Sequence, residues 1–204
     1  MEGKLAWGGA LAIKANLAKP VGLGYKLRNA KNVLPGLARA WVADALGMNH
    51  ISARLYAVLI KANGERVNYG LVSTRMITTA FCEFMVDELQ AETAAWGDFK
   101  YHDTGTGVGI EAIGDTTMGT FSTEMVGDIR GVGTQIEGAS AVQYRSVATI
   151  TYDGAGGAIT EHGLFNNTRA VGGTLMDRSV FAAINTVAGD SIQFTYTLSC
   201  TAGG

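Results

Sequence analysis

Asn63-Gly64 stands between two apolar-rich runs, ISARLYAVLIKA at 51–62 and ERVNYGLVSTR at 65–75. Asn-Gly reaches positive φ at little cost, so this dipeptide is the strongest short-range signal for a hairpin. Two antiparallel strands over 51–62 and 65–75, joined by a two-residue turn, follow, and such a pair is stable only when further strands or a helix cover its apolar face. The rest of the chain supplies them. Candidate strands lie at 99–104, 120–126, 142–152, 158–165, 174–184 and 190–199, with turns marked by GAGG at 154–157 and AGD at 188–190. YRSVATITY alternates, with Tyr144, Ser146, Ala148 and Ile150 on one face and Arg145, Val147 and Thr149 on the other.

Two helices interrupt the strands. Thr78 or Thr79 can cap a helix running to about Ala95, with Phe81, Phe84, Met85 and Leu89 on one side. VLPGLARAWVADALG at 33–47 reads as a short helix, with Pro35 in its first turn and Gly47 past its end. The expected fold is mainly β: an antiparallel β-sandwich over 37–204, with one or two short helices, one of them near 76–95. Residues 1–36 read as an extended N-terminal arm. They contain both prolines and six Lys or Arg against the single acid Glu2. Trp7, Leu11, Ile13, Leu17 and Tyr25 are too apolar for a solvated tail, so the arm is expected to lie on a partner through these five residues.

The function classes narrow by charge and spacing. With 16 basic and 18 acidic residues the net charge is −2, and no broad basic field is available for nucleic acid. No apolar run is long enough to cross a bilayer, and MEGKLAWGGALAIK makes a poor signal peptide, so synthesis in a cytoplasm with no membrane partner is expected. Cys82 and Cys200 lack a CxxC partner and are expected as buried thiols. His50, His102 and His162 lack metal-ligand spacing and are expected to be exposed or to satisfy local hydrogen bonds. His162 follows Glu161, and adjacent strand residues face opposite ways.

The stretch KYHDTGTGVG at 100–109 invites two catalytic readings, and both fail. Asp103-Thr104-Gly105 is the tripeptide of aspartic proteases, whose two carboxylates share a proton; no second DTG exists here. Gly105, Gly107 and Gly109 lack the GK[ST] ending and the helix of a phosphate loop. A turn with Asp103 and Asp115 as side-chain caps is expected instead. No catalytic, cofactor-binding or metal-ligating residue is assigned, and no enzymatic activity is expected.

The order of segments carries more. LVSTRMITTAFCEFMVDEL, then KYHDTGTGVGIEAIGDTTMGTFSTE, then AITEHGLFNNTRAVGGTLMDRSVFAAINTVAGDSIQFTYTLS resembles a module of tailed-bacteriophage virion proteins. The resemblance runs from about Leu71 to Ser199; Val-Gly after Gly107 departs from the module's Thr-Thr. It implies a β-sandwich used in head decoration, head fibres or tails. From it follows the expectation of a capsid decoration or cement protein in the virion, homo-oligomeric, with the major capsid protein or other virion proteins as partners. The alternative is a tail or head-fibre component that binds a receptor or glycan, with Tyr101, His102, Phe165, Asn166 and Asn167 as its candidate cluster, of which Phe165 is expected to pack in the core instead.

Overall fold

The structure, a computed structural model, describes residues 18–75, 77–90 and 98–203. Two sheets face each other. The first is ordered β1 (Lys19–Pro20), β3 (Arg66–Arg75), β2 (His50–Ile60), β10 (Ser191–Thr201), β7 (Gln143–Thr151) and β6 (Thr134–Glu137). The second is β5 (Gly131–Val132), β4 (Tyr101–Gly105), β8 (Gly157–Phe165) and β9 (Leu175–Thr186). Every pairing is antiparallel except β1 with β3. The protein is a β-sandwich.

The first sheet follows the period-2 rule. Ala53, Leu55, Ala57 and Leu59 of β2 point inward, as do Ile192, Phe194, Tyr196 and Leu198 of β10 and Ser146, Ala148 and Ile150 of β7. The second sheet does not alternate: 159–165 and 175–181 are buried on both faces. Its outer face is covered by the long connection from Thr106 to Arg130. The expected strand at 120–126 lies in this connection and forms only two isolated bridges, Gly105 with Phe121 and Met125 with Tyr152. Ser122 N–H does reach Thr104 O, but the N–H groups of Thr120 and Glu124 go to the side chains of Glu161 and Ser122, so the ladder does not extend.

The hairpin forms where expected but with three loop residues. Lys61 N–H donates to Glu65 O and Gly64 N–H to Lys61 O, which makes a turn over 61–64 followed by Gly64 at φ +84. Only Gly64, not Asn63, needs positive φ. Asn63 instead accepts from Glu65 N–H at 2.9 Å. Gly64→Val forces a β-branched residue into the left-handed region and is expected to cost at least ~1 kcal/mol by urea denaturation. A change near zero would show that the turn relaxes freely.

Helix α2 (Thr79–Gln90) starts as expected: Thr78 Oγ1 accepts the Phe81 N–H at 3.2 Å, and Phe81, Phe84 and Met85 pack into the core. Cys82 and Cys200 are both exposed rather than buried. Cys82 lies on the outward face of α2, and Cys200 lies close to the chain end on β10, where the apolar core has stopped.

The largest correction concerns the arm. Lys19–Pro20 is a strand, and helix α1 runs from Leu23 to Ala45, 23 residues, so 23–36 is helical rather than extended and the helix is not short. It lies over the edge where β3 and β9 run side by side. Asn29 holds that junction: its Nδ2 donates to Val72 O on β3 at 2.7 Å, and its Oδ1 accepts Ala182 N–H on β9 at 2.8 Å. Tyr25 O–H donates to Ala182 O at 2.9 Å, and Thr74 Oγ1 donates to Val33 O at 2.6 Å. An edge strand left bare exposes a row of unpaired backbone groups. β9 is such an edge, and β3 is covered on that side only by the two residues of β1. The helix takes up Val72 O together with the Ala182 N–H and O. Tyr25 is therefore a residue of the protein's own core, stacked edge-on against Tyr69, and not a partner contact. Trp7, Leu11, Ile13 and Leu17 lie outside the described residues.

Candidate functional site

The polar residues of KYHDTGTGVG are placed by β4, which is buried on both faces, so each must find its partner inside the protein. Outward from the sandwich core, Asp103 is fully buried. Its Oδ2 accepts Arg130 Nε at 2.9 Å and its Oδ1 accepts Arg169 Nη2 and Thr104 N–H. Arg130 lies 3.4 Å above the Phe165 ring centroid and donates to Asn167 O, Thr168 O and Gly172 O. Asp103 is thus no turn cap. It is the centre of a two-arginine ion pair that ties β4 to the 166–174 loop. Asp115 does cap a turn, with its Oδ2 accepting Ala112 N–H at 3.0 Å.

Two residues beyond Asp103, the glycines do cradle an anion, and it is the protein's own Glu161. The Glu161 carboxylate accepts the N–H groups of Gly107 at 3.0 Å, Gly119 at 3.0 Å and Thr120 at 2.6 Å, and pairs with Arg178 at 2.8 Å. A Cβ on Gly105 or Gly107 would meet a Glu161 oxygen at 2.4 Å. The glycines serve close approach rather than positive φ. Arg178 passes the pairing on to Asp115 at 3.0 Å. The sequence motif carries the signal for this cradle, but nothing local shows that its occupant lies 54 residues away.

On the inner face, His102 and His162 are fully buried, neither exposed nor locally bonded as expected. His102 Nδ1 lies 2.9 Å from His162 Nε2, and His102 Nε2 lies 2.8 Å from Ser146 Oγ. His162 Nδ1 has no hydrogen-bond partner. A bare acceptor there costs less than an orphaned N–H, so the satisfied arrangement has His162 Nε2–H donating to His102 and His102 Nε2–H donating to Ser146. Burial holds His102 down to about 3, and burial together with the neighbouring His102 holds His162 well below the ordinary histidine value. Glu161 and His162 face opposite ways, as the alternation requires.

The candidate receptor cluster does not assemble as an exposed patch. His102 and Phe165 are buried, while Asn166 and Asn167 accept the backbone N–H groups of Thr174 and Thr168 within their own loop. Open surface of a different kind lies beside α1. A groove of about 980 Å³ runs between the helix and the 106–120 connection, with Arg28, Lys31 and Arg39 on one wall and Val108, Ile110 and Ile113 on the other. None of those three bases forms an ion pair among the described residues. The outward side of α1 exposes Leu23, Leu27, Leu34 and Trp41, each at 60% or more.

Among the described residues, no group of three or more metal-ligating side chains gathers, and no helix is long and apolar enough to cross a membrane. Comparison with known proteins gives no matching family model, no matching curated protein and no matching solved structure. The chain's class is therefore defined by its architecture: a β-sandwich with internally paired charges, closed at one edge by a basic, outwardly apolar helix.

Proposed function

We propose that this protein is a structural component of a tailed-bacteriophage virion, a capsid decoration or cement protein that binds the major capsid protein or its neighbours through its N-terminal side. The observation that carries the reading is a separation of roles. The deep carboxylates and arginines brace loops against the sandwich. On α1, unpaired bases stand beside five large exposed apolar side chains, Leu23, Leu27, Leu34, Trp41 and Val42, next to where the N-terminal segment enters along β3. Exposed apolar side chains grouped on one element mark an interaction surface. The order of segments from Leu71 to Ser199 supports the same reading. Repetition of modest contacts by oligomer symmetry would make such a protein hold a shell firmly.

Deleting residues 1–17 tests it. The cut removes Trp7, Leu11, Ile13 and Leu17 but spares β1, α1 and the Asn29 junction, so thermal unfolding is expected to change little. Co-sedimentation with undecorated capsids is expected to weaken at least ~10-fold, because four apolar side chains lose their burial on the partner. Undiminished binding by the truncated protein would remove the arm from the proposed interface. A tail or head-fibre role with a bound receptor or glycan is the second reading. No exposed cluster among the residues named for it favours that role.

A further inference from the structure

The outward apolar residues of α1 are spaced for one kind of partner. Leu23, Leu27, Ala30, Leu34, Leu37 and Trp41 follow one another at alternating intervals of four and three residues. At 3.6 residues per turn they form one stripe, with Ala30 and Leu37 half-buried, on the side away from Tyr25, Asn29 and Asn32, which dock onto the sandwich. The four-and-three spacing is that of a seam in knobs-into-holes helix packing, and Val42, also exposed, lies to one side of it. The residues flanking the C-terminal half of the seam are small, Ala38 and Ala40, which leaves room for close approach. Lys26 and Lys31 flank the N-terminal half, one on each side, and neither is ion-paired among the described residues.

We infer that α1 docks an amphipathic helix of another protein, one with a matching apolar seam flanked by Asp or Glu. Charge decides against a second copy. In a parallel pair, Lys26 of one helix faces Lys31 of the other on both sides of the seam. In a fully overlapped antiparallel pair, Lys31 faces its own copy across the two-fold axis. Charge also decides against the chain's own first 17 residues, which carry Lys4 and Lys14 against Glu2. An acidic partner satisfies both lysines at once. The inference goes beyond the decoration reading and does not depend on it, since its test uses no virus particle.

The probe is a synthetic heptad peptide with Leu at the seam positions and Glu at the flanking ones, whose own Glu–Glu repulsion keeps it single. The full-length chain is expected to bind it, more weakly as salt is raised, and to ignore the same peptide with Lys in place of Glu. Leu34→Glu should weaken binding by about 100-fold or more, with thermal unfolding unchanged because the side chain is exposed. Lys26→Glu combined with Lys31→Glu should reverse the preference, so that the Lys peptide binds. This reversal is a result that a merely sticky apolar surface would not give. Four results overturn the inference. Self-association of the chain that Leu34→Glu abolishes would make a second copy the occupant. Binding to vesicles of equal parts phosphatidylcholine and phosphatidylserine, without peptide binding, would make it a membrane. Peptide binding seen only after deletion of residues 1–17 would make it the chain's own N-terminal segment. Failure of both peptides to bind would leave the seam without a helical partner.

Discussion

Glu161→Gln is expected to lower the free energy of unfolding by about 3–5 kcal/mol, measured by urea denaturation at neutral pH. The carboxylate is fully buried and receives five contacts: three backbone N–H groups and two guanidinium nitrogens of Arg178. The amide keeps the shape but removes the charge, and its NH₂ group must point at donors. Arg178, almost wholly buried, then keeps only Asp115 as a charge partner. Removing one partner of a buried pair leaves the other uncompensated, which costs far more than the pair itself contributes. Against a typical total of about 5–15 kcal/mol, the loss is large. The 106–120 connection should also become the first site of proteolytic nicking. A measured change below about 1 kcal/mol would show that the connection is held by other contacts.

Acid should unfold this protein early. His102 and His162 are neutral in the folded state because burial holds both below the ordinary value of 6.5. The unfolded chain protonates them as pH falls through 6.5, so the unfolded state binds more protons below that point. Stability contributed by neutral burial is complete above pH 6.5 and is lost as pH falls toward the folded value, about 3 for His102. The slope approaches 1.4 kcal/mol per pH unit for each histidine, so a fall from pH 7 to 5 removes about 4 kcal/mol when both titrate this way. Thermal unfolding across pH 8 to 5 reads the effect, in a window above most carboxylate titration. His162→Leu, packed against the Phe194 ring, should roughly halve the slope. A flat profile in wild type would mean that the pair is hydrated or charged in the fold.

The parts of the fold that were legible in sequence rest on local chemistry. Asn63-Gly64 fixes the hairpin, β7 and β10 alternate because one face of the first sheet is open, and Thr78 announces α2 through its hydroxyl. The start of α1 was hidden for equally local reasons. Gly22 at its N-terminus offers no side-chain cap, its first turn has no acid, and Pro35 sits inside the helix rather than at its start. Its docking side is carried by Tyr25 and two asparagines, Asn29 and Asn32, while its large apolar residues face out, so no apolar face marked the side that packs. The charged interior was hidden because its partners are distant in sequence: Asp103 reaches Arg130 and Arg169, and Glu161 reaches back to Gly107. The 106–130 cover, not any strand pattern, made the second sheet buried on both sides.

The Asn29 junction also sets an order on how the molecule is made. Its two backbone partners belong to Val72 and Ala182, so once the first bond can form the second waits for 110 more residues to be synthesised. At the pace of translation, about 5–20 residues per second, that delay is on the order of 10 s. During it α1 has one of its two strands and an unshielded core face. A chain released before β9 cannot seat the helix against both edges, and so cannot present its outward seam in a fixed orientation. The placement of the helix nearest the start of the chain therefore depends on a strand that is made late in synthesis.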